Sequence, residues 1–224
     1  MCGRFTLRTS NKALTKAFDL LDADMADLLR PRYNIAPTQQ VAAIRVQDNG
    51  RRRLVLLKWG LIPSWAKDPA IGNRMINARG ETVATKPSFR SAFKSRRCLI
   101  LADGFYEWQK RGATKQPYCI GLSSGQPFAF AGLWEHWHLG DQTIDSCTII
   151  TTTANELMEP LHDRMPVILP SSRFDQWLDA ESDRSDVEKL LQPYPAGEMA
   201  AYRVSTVVNH PRNEKPDCVV KIDT

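Results

Sequence analysis

The chain has 224 residues, 42% hydrophobic and 25% charged, with a formal net charge of +5. That is enough to bury a substantial core in one domain, and no apolar run reaches the roughly 18 residues of a membrane span. The start, MCGRFTLRTS, lacks the apolar core of a signal peptide, so residence in the cytoplasm is expected.

The first residues read as an extended segment leading into a helix. Leu14, Ala17, Phe18 and Leu21 follow helical spacing behind Thr9-Ser10, a plausible N-cap. Val41–Val46 and Leu54–Trp59 read as strands joined by Asp48-Asn49-Gly50, a hairpin signal. Further strands are expected at 98–101, 105–109, 118–122, 128–134 and 147–151, with turns at 110–117 and 123–127. Short helices are expected at 172–178 and 186–191, and late strands at 201–208 and 218–222. No repeat or Gly/Ser linker divides the chain. The expected fold is therefore α+β: one domain, residues 1–224, on a mixed, mainly antiparallel β-sheet or barrel with peripheral helices.

Charge is unevenly spread. Residues 1–112 carry 21 Lys/Arg against 9 Asp/Glu, a net +12, whereas residues 113–224 carry 9 against 16, a net −7. A basic half suits a polyanionic partner. The segment 86–97 holds Lys86, Arg90, Lys94, Arg96 and Arg97 without an acid, and reads equally as a solvated loop or a nucleic-acid contact. The five cysteines form no CxxC pair, which argues against structural zinc and a disulfide framework. Cys98, Cys119 and Cys147 sit in apolar runs, as buried inert thiols do. His136 and His138 have no third ligand nearby and read as loop residues, so no metal is expected.

Four segments can carry chemistry. Cys2, once Met1 is lost, has an α-amine and a thiol on one residue, with ordinary pKa values of about 8 and 8.5. Such a 1,2-aminothiol condenses with an aldehyde to an imine, and its sulfur then closes a thiazolidine ring. On Cys2 alone, an incidental second residue is the better reading. In 75–81, Asn77 and Arg79 alternate with apolar residues and so share one face of an extended segment. In 101–108, Glu107 sits among aromatic residues, an environment that favours proton shuttling by a carboxyl. An exposed strand Glu is the plainer reading. In 161–166, His162 stands beside Asp163 and Arg164, which are able to orient it or to meet phosphate.

The motifs MCGRF, RYNIAP (32–37), WGLIPSW (59–65), INARGET (76–82), ADGFYEW (102–108) and LHDRMP (161–166) together resemble the SRAP-domain family, in the same order, from residue 1 to about 210. The resemblance implies abasic-site processing, with Cys2 forming a thiazolidine crosslink to the ring-opened sugar in single-stranded DNA. It implies that Asn77 positions the reacting groups and that Glu107 serves as acid and base. His162 would promote ring opening and crosslink reversal. Arg4, Trp65, Arg79 and Arg164 would lie near the DNA. It also implies self-removal of Met1, no cofactor, no membrane partner, a monomer, and room for replication-fork partners. One departure is Ala66, where the family commonly has a second bulky residue after Trp65. Two other classes of function remain open: a thiol peptidase acting beyond its own Met1, and a non-catalytic single-strand-binding module.

Overall fold

The computed structural model describes residues 2–20, 29–47, 50–112 and 114–222. In chain order the elements are β1 (Phe5–Leu7), α1 (Asn11–Phe18), β2 (Arg32–Ile35), β3 (Gln40–Val46), β4 (Arg52–Trp59), β5 (Asn77–Arg79), α2 (Gly80–Val83) and α3 (Arg90–Ser95). There follow β6 (Arg97–Ala102), β7 (Gly104–Arg111), β8 (Thr114–Leu122), β9 (Phe128–Leu139), β10 (Gln142–Thr153), β11 (Arg164–Pro166), β12 (Ile168–Leu169), α4 (Phe174–Leu178), α5 (Arg184–Glu188) and β13 (Met199–Arg203).

Five strands close a barrel. β10 pairs with β9, β9 with β6, β6 with β3 and β3 with β4, all antiparallel, and β4 returns to β10 in parallel at Lys58↔Ser146 and Trp59↔Cys147. Closure removes the open edges that invite aggregation. The interior is packed to the backbone: a Cβ on Gly132 of β9 would come within 2.8 Å of Ile100 and 2.9 Å of the Cys98 sulfur. A second sheet, in the order β13-β8-β7-β1-β2, lies against the barrel. Phe5 of β1 joins the two, its ring 5.1 Å from Trp59 and 5.7 Å from Phe130 in edge-on contacts.

The N-terminal segment is pinned on its other side by Asp103, which is almost wholly buried. Its carboxylate accepts from Thr6 Oγ1 at 2.7 Å, Thr9 N at 2.7 Å, Thr9 Oγ1 at 2.9 Å and Arg8 Nε at 3.2 Å. A buried carboxylate needs several donors, and here all of them come from residues 6–9. β1, which leads back to Cys2, is thereby anchored at its C-terminal end.

The expected fold class is what the structure has, and several local readings change. His136 and His138 lie on β9 rather than in a loop, because the β9–β10 hairpin runs on to a turn at Gly140, φ +57°. His136 is held there by Asp145 at 2.6 Å. Residues 218–222 form no strand: Pro216 starts a 3-10 turn over Pro216–Val219, and a lone bridge, Val204↔Lys221, follows. The strand expected at 201–208 ends at Arg203, since Ser205 caps a 3-10 turn by accepting from Val207 N at 3.3 Å. The basic segment 86–97 is not a loop throughout, for it contains α3 and the first residue of β6. Its Arg97 is buried, with Nε donating to Trp177 O at 2.6 Å, Nη1 to Phe93 O and Lys94 O at 2.7 and 2.8 Å, and Nη2 to Asp179 O. The turn expected at 110–117 is shorter, with β7 running to Arg111 and β8 starting at Thr114. Leu21 and the hairpin residues Asp48 and Asn49 lie outside the described residues; Gly50, φ +76°, donates to Gln47 O at 2.8 Å.

Candidate active site

Three strands bring the expected site together. β1 pairs with β7 at Phe5↔Phe105, and Tyr106 N donates to Arg4 O at 2.9 Å, which sets the N-terminus alongside Glu107. β5 pairs in parallel with β10 at Asn77↔Ile149 and Arg79↔Thr151. From there Asn77 Nδ2 donates to Cys2 O at 2.8 Å, across 75 residues of sequence. Alternation along β7 sends Phe105 to the main core and Tyr106 and Trp108 to a second cluster, so Glu107 shares the Phe105 side.

Cys2 is fully buried, and its Sγ contacts Arg4 O at 3.9 Å. Burial, and secondarily the negative charge of Glu107, push its thiol far above its ordinary range. The thiol is therefore held protonated, with a buried carboxylate close enough to act on it electrostatically. Cys98, Cys119 and Cys147 are buried too, with thiols pushed up by desolvation; Cys119 feels the Asp103 carboxylate, whereas burial is the main cause at Cys98 and Cys147. Asn77 has one further feature. Its Oδ1 is buried without a hydrogen-bond partner among the described residues, although a buried acceptor normally has one.

His162 stands on the loop between β10 and β11. Gln109 Nε2 of β7 donates to Pro160 O at 3.3 Å, and Ala154 N to Asp163 O at 3.0 Å, so the loop is tied to the strand that carries Glu107. The ring is partly exposed. Its Nδ1 lies 3.0 Å from Arg164 N and 2.7 Å from Asp163 Oδ1, contacts that require opposite protonation of the same nitrogen. Unprotonated, Nδ1 accepts from Arg164 N; protonated, it donates to Asp163. The ring thus has a ready partner in either state, as a proton-exchanging group needs.

The four expected DNA contacts fall into two kinds. Arg79 is exposed at the end of β5, and Trp65 is 59% exposed. Beside it Ala66 is buried and accepts from Trp137 Nε1 at 2.7 Å, so Trp65 points outward on an anchored loop. Arg4 and Arg164 are already engaged. Arg4 Nη1 donates to Asn34 Oδ1 at 2.8 Å and Val208 O at 3.0 Å, its guanidinium 5.8 Å from the Trp108 ring. Arg164 grips Glu81 with both Nη atoms, at 2.7 and 2.9 Å, and donates Nη2 to Thr151 O at 2.7 Å. That pairing holds the Glu81 carboxyl below its usual range.

The residues that hold these arginines had no role read from sequence. Asn34 is fully buried and, besides accepting from Arg4, donates Nδ2 to Val208 O, His210 O and Asn213 O at 3.2, 3.1 and 2.9 Å. Asn34 lies in RYNIAP and Glu81 in INARGET; their place inside those motifs was the one available signal. Among the described residues no group of three His, Cys, Asp or Glu is arranged to hold a metal ion, and no helix is long and apolar enough to cross a membrane.

Residues 1–211 match the family model described as SOS response associated peptidase (SRAP). Abasic site processing protein YoqW of Bacillus subtilis (strain 168) is 47% identical over 222 residues, covering 98% of this chain and 99% of that protein. Abasic site processing protein HMCES of Xenopus tropicalis is 34% identical over 229 residues, covering 88% of this chain and 68% of that protein. Among solved structures, a crystal structure of a Bacteroides thetaiotaomicron protein superposes with a TM-score of 0.88 at 25% identity, over 99% of this chain and all of that one.

Proposed function

The chain belongs to the SRAP family, and on that premise we propose that it processes abasic sites in single-stranded DNA by forming a covalent bond through Cys2. An abasic site is a masked aldehyde. Once Met1 is gone, the Cys2 α-amine adds to the ring-opened C1′ aldehyde and expels one water to leave an imine. The Cys2 sulfur then adds to the imine carbon, forming the C–S bond, while the thiol proton ends on the ring nitrogen. The product is a thiazolidine with no leaving group other than water. Such a ring masks the aldehyde that would otherwise drive strand cleavage.

Each residue has a step that its position suits. Asn77 holds the Cys2 carbonyl, and its unfilled Oδ1 is ready for a donor on the reacting groups. Glu107 takes and returns protons as water leaves and sulfur adds. His162 exchanges the proton of the sugar oxygen during ring opening and during reversal. Arg79 and Trp65, being exposed, meet phosphate and bases directly. Arg4 and Arg164 lend charge while they fix the walls of the site. The observation that carries the reading is Asn77 bonded to Cys2 O, with a buried Glu107 acting on the Cys2 thiol.

Removal of Met1 by the chain itself is part of the proposal, in keeping with the peptidase in the family description. A peptidase acting on other chains is disfavoured. A peptide carbonyl is a far weaker electrophile than an imine, and a buried thiol held protonated needs the stronger one. Denaturing gel electrophoresis after mixing the protein with an abasic single-stranded oligonucleotide tests the proposal. A heat-stable band of retarded mobility is expected with the abasic strand and none with the intact strand. Absence of that band, with Met1 shown by mass to be gone, refutes it.

A further inference from the structure

The basic segment 86–97 remains without a role in the chemistry above. Its backbone is a train of tight turns: Lys86 N donates to Thr82 O at 2.9 Å, Arg90 N to Lys86 O at 2.9 Å, Phe93 N to Phe89 O at 2.8 Å and Arg96 N to Ala92 O at 2.7 Å. Lys86, Arg90 and Lys94 recur at steps of four and are all exposed. Arg90 and Lys94 lie four apart on α3 and so on one side, about 6 Å apart along it, and the turn closed by Arg90 N on Lys86 O sets Lys86 just before its start. None of the three has a carboxylate partner among the described ion pairs, whereas Arg96 is paired with Glu135 at 2.9 Å.

The row follows in sequence from the strand that carries Asn77. Asn77, bonded to Cys2 O, and the exposed Arg79 are on β5, and α2 follows β5 without a break into the turn at Thr82. At its far end Arg90 and Lys94 line a cleft of about 790 Å³, together with Ser91, Arg97, Ser182 and Arg184. Glu181 is the one acid in that lining, and Arg184 is shared with Glu188 at 2.8 Å. On the floor, Arg97 has its donors filled by carbonyl oxygens, so its charge stays in place as a fixed part of the wall.

From this juxtaposition we infer that Lys86, Arg90 and Lys94 form a track that carries the phosphodiester backbone of single-stranded nucleic acid away from the reactive cysteine into the cleft between α3 and residues 180–184. A stacked strand advances about 3.4 Å per nucleotide, so cations spaced by about 6 Å meet roughly every second phosphate. Exposed, unpaired Lys and Arg suit phosphate because their bound counterion atmosphere is exchanged on contact and no internal ion pair has to break. The inference rests on the proposed function for the identity of the strand, and it predicts a footprint longer than the lesion itself.

The test compares the parent chain with a Lys86→Gln, Arg90→Gln, Lys94→Gln variant. All three positions are exposed and outside the reacting groups. Fluorescence anisotropy over a salt series is read with a long intact single strand, and crosslinking with a short abasic oligonucleotide restricted to the lesion and its neighbours. Losing three single-strand phosphate contacts should flatten the slope of log K against log salt by about 2. Crosslinking of the short strand should stay at the parent rate. An unchanged slope on the long strand overturns the track, whatever the crosslinking result. A flattened slope with no crosslink in either protein supports the track while refuting the covalent chemistry, so the two failures are distinct.

Discussion

Replacing Asn77 by Leu separates positioning from folding. Asn77 Nδ2 donates to Cys2 O at 2.8 Å, and its Oδ1 is buried without a partner. Leu keeps much of the shape, removes the unfilled Oδ1 and leaves Cys2 O unfilled instead. Each buried unfilled acceptor costs about 1–3 kcal/mol, so the two changes nearly cancel and stability should move by no more than about 1 kcal/mol. The reaction has no such compensation. It loses the hold on Cys2 and the Oδ1 acceptor offered to the reacting groups, together about 1–3 kcal/mol, which slows crosslinking about 5- to 150-fold. Single-turnover crosslinking followed on denaturing gels gives the rate, and thermal unfolding gives the stability. A rate within twofold of the parent, in a chain that folds normally, would remove Asn77 from the account. A rate loss that tracks loss of fold would make it structural.

Glu107→Gln keeps shape but cannot carry a proton, and crosslinking should slow by about 10²–10⁴-fold; an unchanged single-turnover rate contradicts its role. Arg97→Met leaves the carbonyls of Phe93, Lys94, Trp177 and Asp179 without their donor, and should destabilise by about 2–4 kcal/mol in urea unfolding. A midpoint equal to the parent's would show that water replaces the guanidinium. The Cys98 and Cys147 thiols lie above the ordinary thiol range because burial disfavours their charged form. The folded chain then holds protons that the unfolded chain releases, so this contribution is complete below pH 9 and is lost as pH rises beyond it. Unfolding midpoints should fall between pH 8 and pH 10, less so in a Cys98→Ala, Cys147→Ala chain; a midpoint that rises over this range would reverse the argument.

Much of the scaffold was legible because alternation and turn chemistry are local signals. The β3–β4 and β7–β8 hairpins follow from alternating residues and short polar connections. Barrel closure was not legible. The parallel pairing of Trp59 with Cys147 joins residues 88 apart, and neither strand differs in composition from an antiparallel one. Arg97 looked like its solvated neighbours because its burial depends on carbonyls from Trp177 and Asp179, far along the chain. The late segment 218–222 had β-branched residues suited to a strand but meets only one bridging partner. Cys2, Asn77, Glu107 and His162 could be singled out by chemistry only as candidates, and it was the resemblance of their motifs to the SRAP family that attached a role to each. What fixes Arg4 and Arg164 was hidden, since Asn34 and Glu81 act through geometry that no spacing expresses.

The claim at the centre of the account is that both nucleophiles of Cys2, amine and sulfur, end on the same sugar carbon. Intact mass spectrometry of the crosslink, without borohydride, compares the chain beginning at Cys2 with one carrying an extra residue before it. The chain beginning at Cys2 should give a durable adduct equal to protein plus oligonucleotide less one water. The extended chain, whose free amine lies on another residue, should give none that survives denaturation. An equally durable adduct from the extended chain would mean that the thiol alone suffices, and would contradict the thiazolidine.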